Sequence, residues 1–332
     1  MPGFESVIGQ KAPIEILTTF LRQGNTPHAL LFYGIDGVGK RASAKLFSMA
    51  LNCLGKHTGS NQTEKPCGSC RSCRKIESGN HPDVITIKPS GAFIRIAQIR
   101  ELLETLSLRP YEAQTRVVVI ADAHAMNLEA ANALLKMLEE PPDKTIFILT
   151  TEQLFDLLPT VVSRCQQIRF SPISRETLER LLVEEHSIAR EVARIIAAMA
   201  NGSQTKAVQM SQGNWVNQRN WLIDEMESLT RKPIGVRMVF AEKLSGDRTM
   251  LMDSLDIILT WLRDVLIYKF SPAKIMNIDW ARRIQSASEK LSVDVLLSQI
   301  KHIQQTQKDI RANANLRLAI DALVLRLAQP TV

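Results

Sequence analysis

The sequence has no apolar run close to the roughly 18 residues that a membrane-spanning helix requires. Residues 1–10 also lack the pattern of a secretory signal peptide. No run of basic residues forms an arm dedicated to nucleic acid, although the net charge is +7. We therefore expect a protein of the cytoplasm with no membrane partner. Its mildly basic surface is ordinary for a soluble protein and still permits contact with DNA.

Cysteine is also scarce, and four of the five cysteines lie in one short segment. This pattern argues against a disulfide framework, and the spacing C-x13-C-x2-C-x2-C predicts a tetrahedral zinc site. The ligands would be Cys53, Cys67, Cys70 and Cys73. Because the protein supplies all four ligands, the zinc would be structural and would stabilise an aperiodic insertion near residues 53–73. Free or redox-active thiols are the alternative.

Residues 30–40 join an apolar run to a glycine-rich turn that ends on a lysine. The run predicts a strand, the turn predicts a P-loop whose backbone N–H groups hold phosphates, and residues 41–52 predict the helix that follows. A chance glycine-rich turn is the alternative for this segment alone. The residues that would contact ATP or ADP are Gly34, Gly37, Val38, Gly39, Lys40 and Arg41. Arg41 stands where a P-loop has the hydroxyl that binds magnesium, so magnesium would not be well held. Two alternatives are open at this site: nucleotide occupies the loop, or Arg41 fills the phosphate site instead.

Further strands are predicted at residues 84–88, 116–120, 145–151 and 167–170, with helices at 94–106 and 129–140 between them. Five strands with intervening helices predict a doubly wound parallel sheet that carries the P-loop at the carboxyl ends of its strands. Strand signals stop after residue 172. A helix is predicted over residues 176–200, a short one after Asn201-Gly202-Ser203, and only helices from Trp215 onward.

Several motifs, in this order, resemble the clamp-loader subunits of bacterial DNA polymerase III, which belong to the AAA+ class. They are residues 7–10, residues 34–40, the four cysteines, residues 132–142 (Asn-Ala-Leu-Leu-Lys-Met-Leu-Glu-Glu-Pro-Pro) and Ser163-Arg164-Cys165. Residues 132–142 and the Ser-Arg-Cys triplet are specific to this family, whereas the P-loop alone is not. The delta-prime subunits are the most similar branch, with the gamma/tau subunits as nearest relatives. The resemblance is dense over about the first 170 residues and looser beyond.

The resemblance implies an α/β fold in three domains. An AAA+ P-loop domain with the zinc insertion would occupy residues 1–170, a small helical lid domain 171–212, and an all-α collar domain for assembly 213–332. It also implies gamma/tau and delta subunits as partners in a heteropentameric ring, part of the DNA polymerase III holoenzyme. That ring uses ATP to load a sliding clamp on primer-template DNA. DNA contact by this chain would be secondary and through backbone phosphates.

The chain departs from the family's active ATPases at several positions. Ala121 occupies the position of the magnesium-binding aspartate and Asp122 that of the catalytic glutamate. Arg41 replaces the P-loop hydroxyl, and Thr205 stands where a late sensor arginine is expected. Because phosphoryl transfer depends on positioning and charge stabilisation, we expect little or no ATP hydrolysis by this chain.

Arg164 is the candidate catalytic residue. The resemblance places it at the subunit edge, where it would act as an arginine finger on ATP held by a neighbour. The alternative is a structural arginine paired with a carboxylate. Cys165 is expected to pack in the interior. These expectations lead to the hypothesis of a stator, a subunit that hydrolyses little ATP itself and completes a neighbour's site.

Two other functions are open. An active motor subunit like gamma/tau would require Asp122 to hold magnesium and Arg41 to be harmless. A zinc-dependent nucleic-acid-binding module is disfavoured, because the basic residues that flank the cysteines are few, chiefly Arg71, Arg74 and Lys75, and no aromatic residues do so.

Overall fold

The computed structural model describes residues 3–55, 65–246 and 248–328. The chain folds into two compact units. The first unit comprises the residues up to Leu178 together with a later stretch, Asn201–Lys206. The second unit comprises Glu179–Ala200 and the residues from Ala207 onward. Most of the aperiodic segment between the first two cysteines lies outside the described residues. The division of the helical part into a lid over residues 171–212 and a collar over 213–332 stays a prediction.

Five strands of the first unit form one parallel sheet in the order β2-β3-β4-β1-β5. The strands are β1 (Ala29–Tyr33), β2 (Val84–Ile87), β3 (Arg116–Ile120), β4 (Thr145–Thr151) and β5 (Gln166–Arg169). In the register, Leu31 of β1 lies opposite Leu149 of β4 on one side and Gln167 of β5 on the other. The predicted parallel sheet is confirmed, and the P-loop strand lies inside it, between β4 and β5.

Helices cover both faces of this sheet, and the side chains of β1 show it. Leu30 and Phe32 belong to one buried cluster, with Phe47, whereas Leu31 belongs to another, with Leu134. Successive strand residues point to opposite faces, so a strand buried on both faces must be apolar at every position. The helices of this unit are α1 (Lys11–Gln23), α2 (Lys40–Leu51), α3 (Arg71–Glu77), α4 (Ile96–Leu106), α5 (Leu128–Glu139) and α6 (Pro159–Val162).

A buried carboxylate just before β2 organises the loop that leads into β3. The oxygens of Asp83 accept hydrogen bonds from the backbone N–H groups of Tyr111, Glu112 and Ala113, each at 2.8 Å. The guanidinium of Arg116, itself buried, lies 3.7 Å from the same carboxylate. Burial alone would raise the pKa of Asp83, but these N–H groups and Arg116 hold that pKa below its ordinary value.

The remaining helices are α7 (Arg175–His186), α8 (Arg190–Met199), α9 (Gln204–Ser211), α10 (Trp215–Ser228), α11 (Ile234–Leu244), α12 (Arg248–Tyr268), α13 (Ala281–Lys290), α14 (Val293–Arg311) and α15 (Leu316–Leu327). The prediction of one helix over residues 176–200 is wrong, because the chain breaks between α7 and α8. Ser187 adopts a left-handed backbone conformation with φ 55°, and the Ile188 N–H donates to Leu182 O at 3.1 Å. Helical periodicity does not reveal so short a break.

The second unit has its own apolar core, in which a cation is buried. Arg219 of α10 is 1% exposed. Its guanidinium forms an ion pair with Asp279, donates to the side-chain oxygen of Asn277 at 3.3 Å and lies 3.8 Å above the ring of Trp280. Within the described part of the chain, no helix is both long enough and apolar enough to cross a membrane.

Candidate functional site

The P-loop connects β1 to α2 at the carboxyl edge of the sheet. The Gly34 N–H donates to Thr151 O and Glu152 O, at 3.3 and 3.1 Å, which ties the start of the loop to the end of β4. Gly37 and Gly39 adopt left-handed conformations, with φ 76° and 98°. Val38 between them is buried. The sequence therefore folds locally into the predicted strand, loop and helix.

The side chain of Lys40 contacts the backbone of its own P-loop. Its side chain is buried, and its ammonium group donates to the carbonyl oxygens of Gly34 and Ile35, the latter at 2.8 Å. Burial lowers the pKa of Lys40, against the opposing charges of Asp36, Glu152 and Asp122. The cation that would reach a phosphate in an active P-loop is thus engaged by backbone carbonyls of the same loop.

Arg41 and Asp122 form an ion pair at the position of the expected magnesium site. Asp122 follows β3 directly, has a left-handed φ of 53°, and donates its N–H to the hydroxyl oxygen of Thr150 at 3.0 Å. Magnesium requires oxygen ligands, whereas Ala121 has none in its side chain and Arg41 supplies a cation instead. The residues present therefore do not fit magnesium. The pairing itself was not predicted from the sequence, in which the two residues lie far apart.

The start of α9 lies against the P-loop. Gly37 O accepts hydrogen bonds from the N–H groups of Gln204 and Thr205, at 2.9 and 3.4 Å. A Cβ atom at Gly37 would lie 2.2 Å from the Ser203 hydroxyl oxygen and 2.8 Å from Thr205 Cβ. Thr205, at the position expected for a sensor arginine, thus brings a small uncharged side chain to the loop. Sequence patterns offered no signal for this contact, which joins residues far apart in the chain.

The four clustered cysteines form a group that could bind a metal such as zinc. The sulfur atoms of Cys53, Cys67, Cys70 and Cys73 all lie within 4.8 Å of one another. Four sulfurs at about 2.3 Å from a tetrahedral zinc ion are roughly 3.8 Å apart, so only a small contraction would be needed.

Hydrogen bonds prepare this group for a cation. The N–H groups of Cys67, Cys70 and Cys73 donate to the sulfurs of Cys53, Cys67 and Cys70, respectively, at 3.3 to 3.4 Å. Burial opposes ionisation of Cys67, but N–H groups of Cys70 and Ser69 prevail and lower its pKa to about 6. A thiolate is the form that binds metal, so these backbone groups favour metal binding at Cys67, whereas burial raises the pKa of Cys53 and of Cys73.

The basic residues beside the cysteines are partly neutralised. Lys75 lies 2.5 Å from the carboxylate of Glu112, and Arg71 lies 3.9 Å from it. This pairing leaves less free positive charge for a nucleic-acid surface next to the cysteines, and so weighs against the zinc-dependent nucleic-acid module.

Arg164 follows α6 and faces the last residue of α5. Its Nη2 lies 2.5 Å from the Glu139 carboxylate, and its Nη1 donates to Thr160 O at 2.9 Å. The Arg164 side chain is 35% exposed and that of Glu139 is 50% exposed. Arg164 therefore has the carboxylate partner that its alternative role, a structural arginine, requires. The finger role of Arg164 stays a prediction. Cys165 is buried as expected, and burial raises the pKa of its thiol to about 12.

Family comparisons agree with these features. The family model described as DNA polymerase III, delta subunit, matches residues 9–174, and the one described as DNA polymerase III, delta subunit, C terminal, matches residues 213–329. The DNA polymerase III subunit delta′ of Bacillus subtilis is 30% identical over 325 residues, which cover 96% of each chain. The chain belongs to the DNA polymerase III delta′ subunit family. The predicted family is thus confirmed, and with it the AAA+ clamp-loader class of fold.

The chain is also similar to other proteins. The delta′ subunit of Pseudomonas aeruginosa is 31% identical over 91% of this chain and 92% of its own. The tau subunit of Bacillus subtilis is 26% identical over 98% of this chain, which corresponds to 61% of tau. A solved gamma subunit-related protein from Thermotoga maritima aligns over 95% of this chain and 98% of its own, with a TM-score of 0.45 and 17% identity. A structural similarity at that level carries no inference about function.

Proposed function

We propose that this chain is a stator subunit of a clamp loader in the cytoplasm. It occupies a fixed place in a ring with gamma/tau and delta subunits, hydrolyses little or no ATP itself, and provides Arg164 to the ATP site of a neighbour. The ring loads a sliding clamp on primer-template DNA, and this chain touches DNA only secondarily, through backbone phosphates. Membership of the delta′ family supports the assembly, and the geometry of the P-loop supports the division of roles.

The ion pair between Arg41 and Asp122 is the observation that carries this proposal. Mg²⁺ neutralises charge on the transferred phosphoryl group, and loss of its protein ligands removes both positioning and electrostatic stabilisation. In this chain one ligand position carries a cation, another carries alanine, and the adjacent carboxylate is engaged by that cation. The alternative of an active motor needs Asp122 to hold magnesium, which would require Arg41 to leave.

Nucleotide binding would also disrupt contacts that the chain makes with itself. For ATP or ADP to occupy the loop, Lys40 would have to leave the carbonyls of Gly34 and Ile35. We therefore propose that this P-loop binds nucleotide weakly at most. The one cofactor proposed is a structural zinc ion at Cys53, Cys67, Cys70 and Cys73.

Arg164 is well placed for a role on a neighbour, because it is partly exposed and lies outside the P-loop site of its own chain. An arginine finger supplied by a neighbouring subunit typically raises the rate of phosphoryl transfer by about 10³ to 10⁵. The experiment measures ATP turnover by the isolated chain and by the reconstituted ring with Arg164 or Arg164→Ala. The proposal predicts little or no ATP turnover by the isolated chain. It also predicts that ATP turnover by the ring falls sharply when Arg164 is replaced.

A gain-of-function variant distinguishes the stator proposal from the alternative of an active motor subunit. The triple variant Arg41→Thr, Ala121→Asp and Asp122→Glu restores a hydroxyl and an acidic pair, so the stator proposal predicts ATP turnover above that of the natural chain. If the natural chain alone already turns over ATP, and Lys40→Ala abolishes this, the motor alternative is correct.

A further inference from the structure

Glu139 is the one acidic partner that the described part of the chain gives to Arg164. We propose that Glu139 is a positioning residue, which fixes the guanidinium of Arg164 at the subunit edge so that its remaining N–H groups meet the phosphate of a neighbour's ATP. The inference rests on the proposed function, because it gives Arg164 a role on that phosphate. In this proposal the ion pair supports the role of Arg164 as an arginine finger. In the sequence analysis, a structural ion pair and an arginine finger were alternative roles for this residue.

Glu139 and Arg164 are each next to a residue of the same buried apolar cluster. Leu138, next to Glu139, is 1% exposed, and Cys165, next to Arg164, is 8% exposed. Both belong to the cluster that also contains Leu134 of α5 and Val161 of α6. Because each charged residue is adjacent to a buried one, the packing of this cluster fixes the backbone positions from which the Glu139 and Arg164 side chains meet. The ion pair therefore follows from the packing of α5 against α6.

The location of Glu139 is electrostatically unfavourable for a purely structural acid. Glu139 ends α5, and Glu140 follows it as the C-cap residue. The negative end of a helix dipole favours cations and disfavours carboxylates. A carboxylate here gains its partner from Arg164, yet both side chains are partly exposed, and exposed ion pairs stabilise a fold little. Positioning of Arg164 accounts for this arrangement better than stability of the fold does.

The contacts of Arg164 leave donors free. A guanidinium has five N–H groups. Nη1 donates to Thr160 O, with Ser163 Oγ at 3.4 Å, and Nη2 donates to Glu139. Among the described contacts of Arg164, none involves Nε, so Nε–H and the second N–H of Nη2 can reach an incoming phosphate. An arginine oriented in this way loses less rotamer freedom when it meets the phosphate than an unrestrained one does.

The test measures kcat and KM for ATP with the reconstituted ring. Immobilising a flexible side chain beforehand corresponds to roughly a threefold to tenfold effect on rate. Glu139→Gln, which keeps the size of the side chain and removes its charge, should lower kcat by about that factor with KM little changed. Glu140→Gln is the matched control, because this neighbouring acid is exposed and should leave kcat unchanged. Glu139→Asp keeps the charge and should retain more activity than Glu139→Gln.

The same series distinguishes failure of this inference from failure of the proposed function. If Arg164→Ala slows the ring but Glu139→Gln leaves kcat unchanged or raises it, Glu139 does not position the finger. If Arg164→Ala itself has no effect, the proposed function is wrong and this inference is wrong with it. In a ring that carries Arg164→Ala, Glu139→Gln should cause no further loss. A further loss there would show that Glu139 acts independently of Arg164. Equal thermal unfolding of the Gln variants at 139 and 140 checks that the fold is intact.

Discussion

Replacement of the buried Asp83 by asparagine should strongly destabilise the first unit. Its two oxygens accept three backbone N–H groups, and the buried Arg116 lies 3.7 Å away. Asparagine has one acceptor oxygen, so its NH₂ group must face at least one of these donors. The substitution also removes the negative charge beside a guanidinium that is 4% exposed.

The expected magnitude follows from these contacts. An unsatisfied buried donor costs about 1–3 kcal/mol. Removal of one partner from a buried ion pair costs about 3–5 kcal/mol. Because both effects arise from the same cluster they are not additive, and we expect Asp83→Asn to lower the free energy of unfolding by about 3–5 kcal/mol. Asp143→Asn is the matched control, since Asp143 is exposed and its substitution should change this free energy by less than about 0.5 kcal/mol.

Urea denaturation can measure this effect on the first unit. All four tryptophans lie in the second unit, so tryptophan fluorescence reports that unit, whereas far-ultraviolet circular dichroism reports both. The circular dichroism transition of Asp83→Asn should begin at a lower urea concentration than that of the natural chain. If this transition is indistinguishable from that of Asp143→Asn, the buried network does not stabilise the fold as argued.

The same carboxylate gives a pH dependence with a defined sign. The pKa of Asp83 is lower in the folded chain than its ordinary value of 3.8. Its stabilising effect is therefore complete above that value and is lost as the pH falls through the lower, folded-state pKa. Below that pH the natural chain and Asp83→Asn should become similar in stability, which acid titration of both proteins can measure.

Three further predictions concern the cysteines and the second unit. The purified chain should carry one zinc ion by atomic emission spectroscopy, and Cys70→Ser should lose it. Cys165 should resist iodoacetamide at pH 8 in the native chain, because burial raises its pKa to about 12, and react after unfolding, as mass spectrometry can show. Arg219→Ala should lower the stability of the second unit by about 2–5 kcal/mol, measured by tryptophan fluorescence, because it removes a buried side chain that packs on Trp280 and pairs with Asp279.

Much of the first unit could be predicted because its signals are local. The β-branched run of β3 and the apolar run of β1 identify strands buried on both faces, and glycine spacing identifies the P-loop. Cysteine spacing likewise indicated the four residues that the fold brings together. Each of these patterns is complete within a few residues, or within one small insertion, so no tertiary contact is needed to recognise it.

The rest depended on contacts between distant residues. The pair of Arg41 with Asp122 links positions 81 residues apart, and the contact of Gly37 with the start of α9 spans about twice that distance in sequence. A signal for the pair did exist, since the resemblance places Arg41 at one magnesium-ligand position and Asp122 directly after another, Ala121. The break at Ser187 lacked such a signal, because a residue without glycine's freedom adopts the left-handed conformation there.

Gly37 shows that packing alone can require a glycine within a nucleotide-binding motif. With Ser203 and Thr205 packed against the loop, any side chain at position 37 would collide with the chain's own atoms, whether or not a phosphate is ever bound. Selection for a well-packed subunit would then preserve this glycine without selection for nucleotide. Here the glycine pattern reports the close approach of two segments of the chain, so a motif match alone does not establish nucleotide binding.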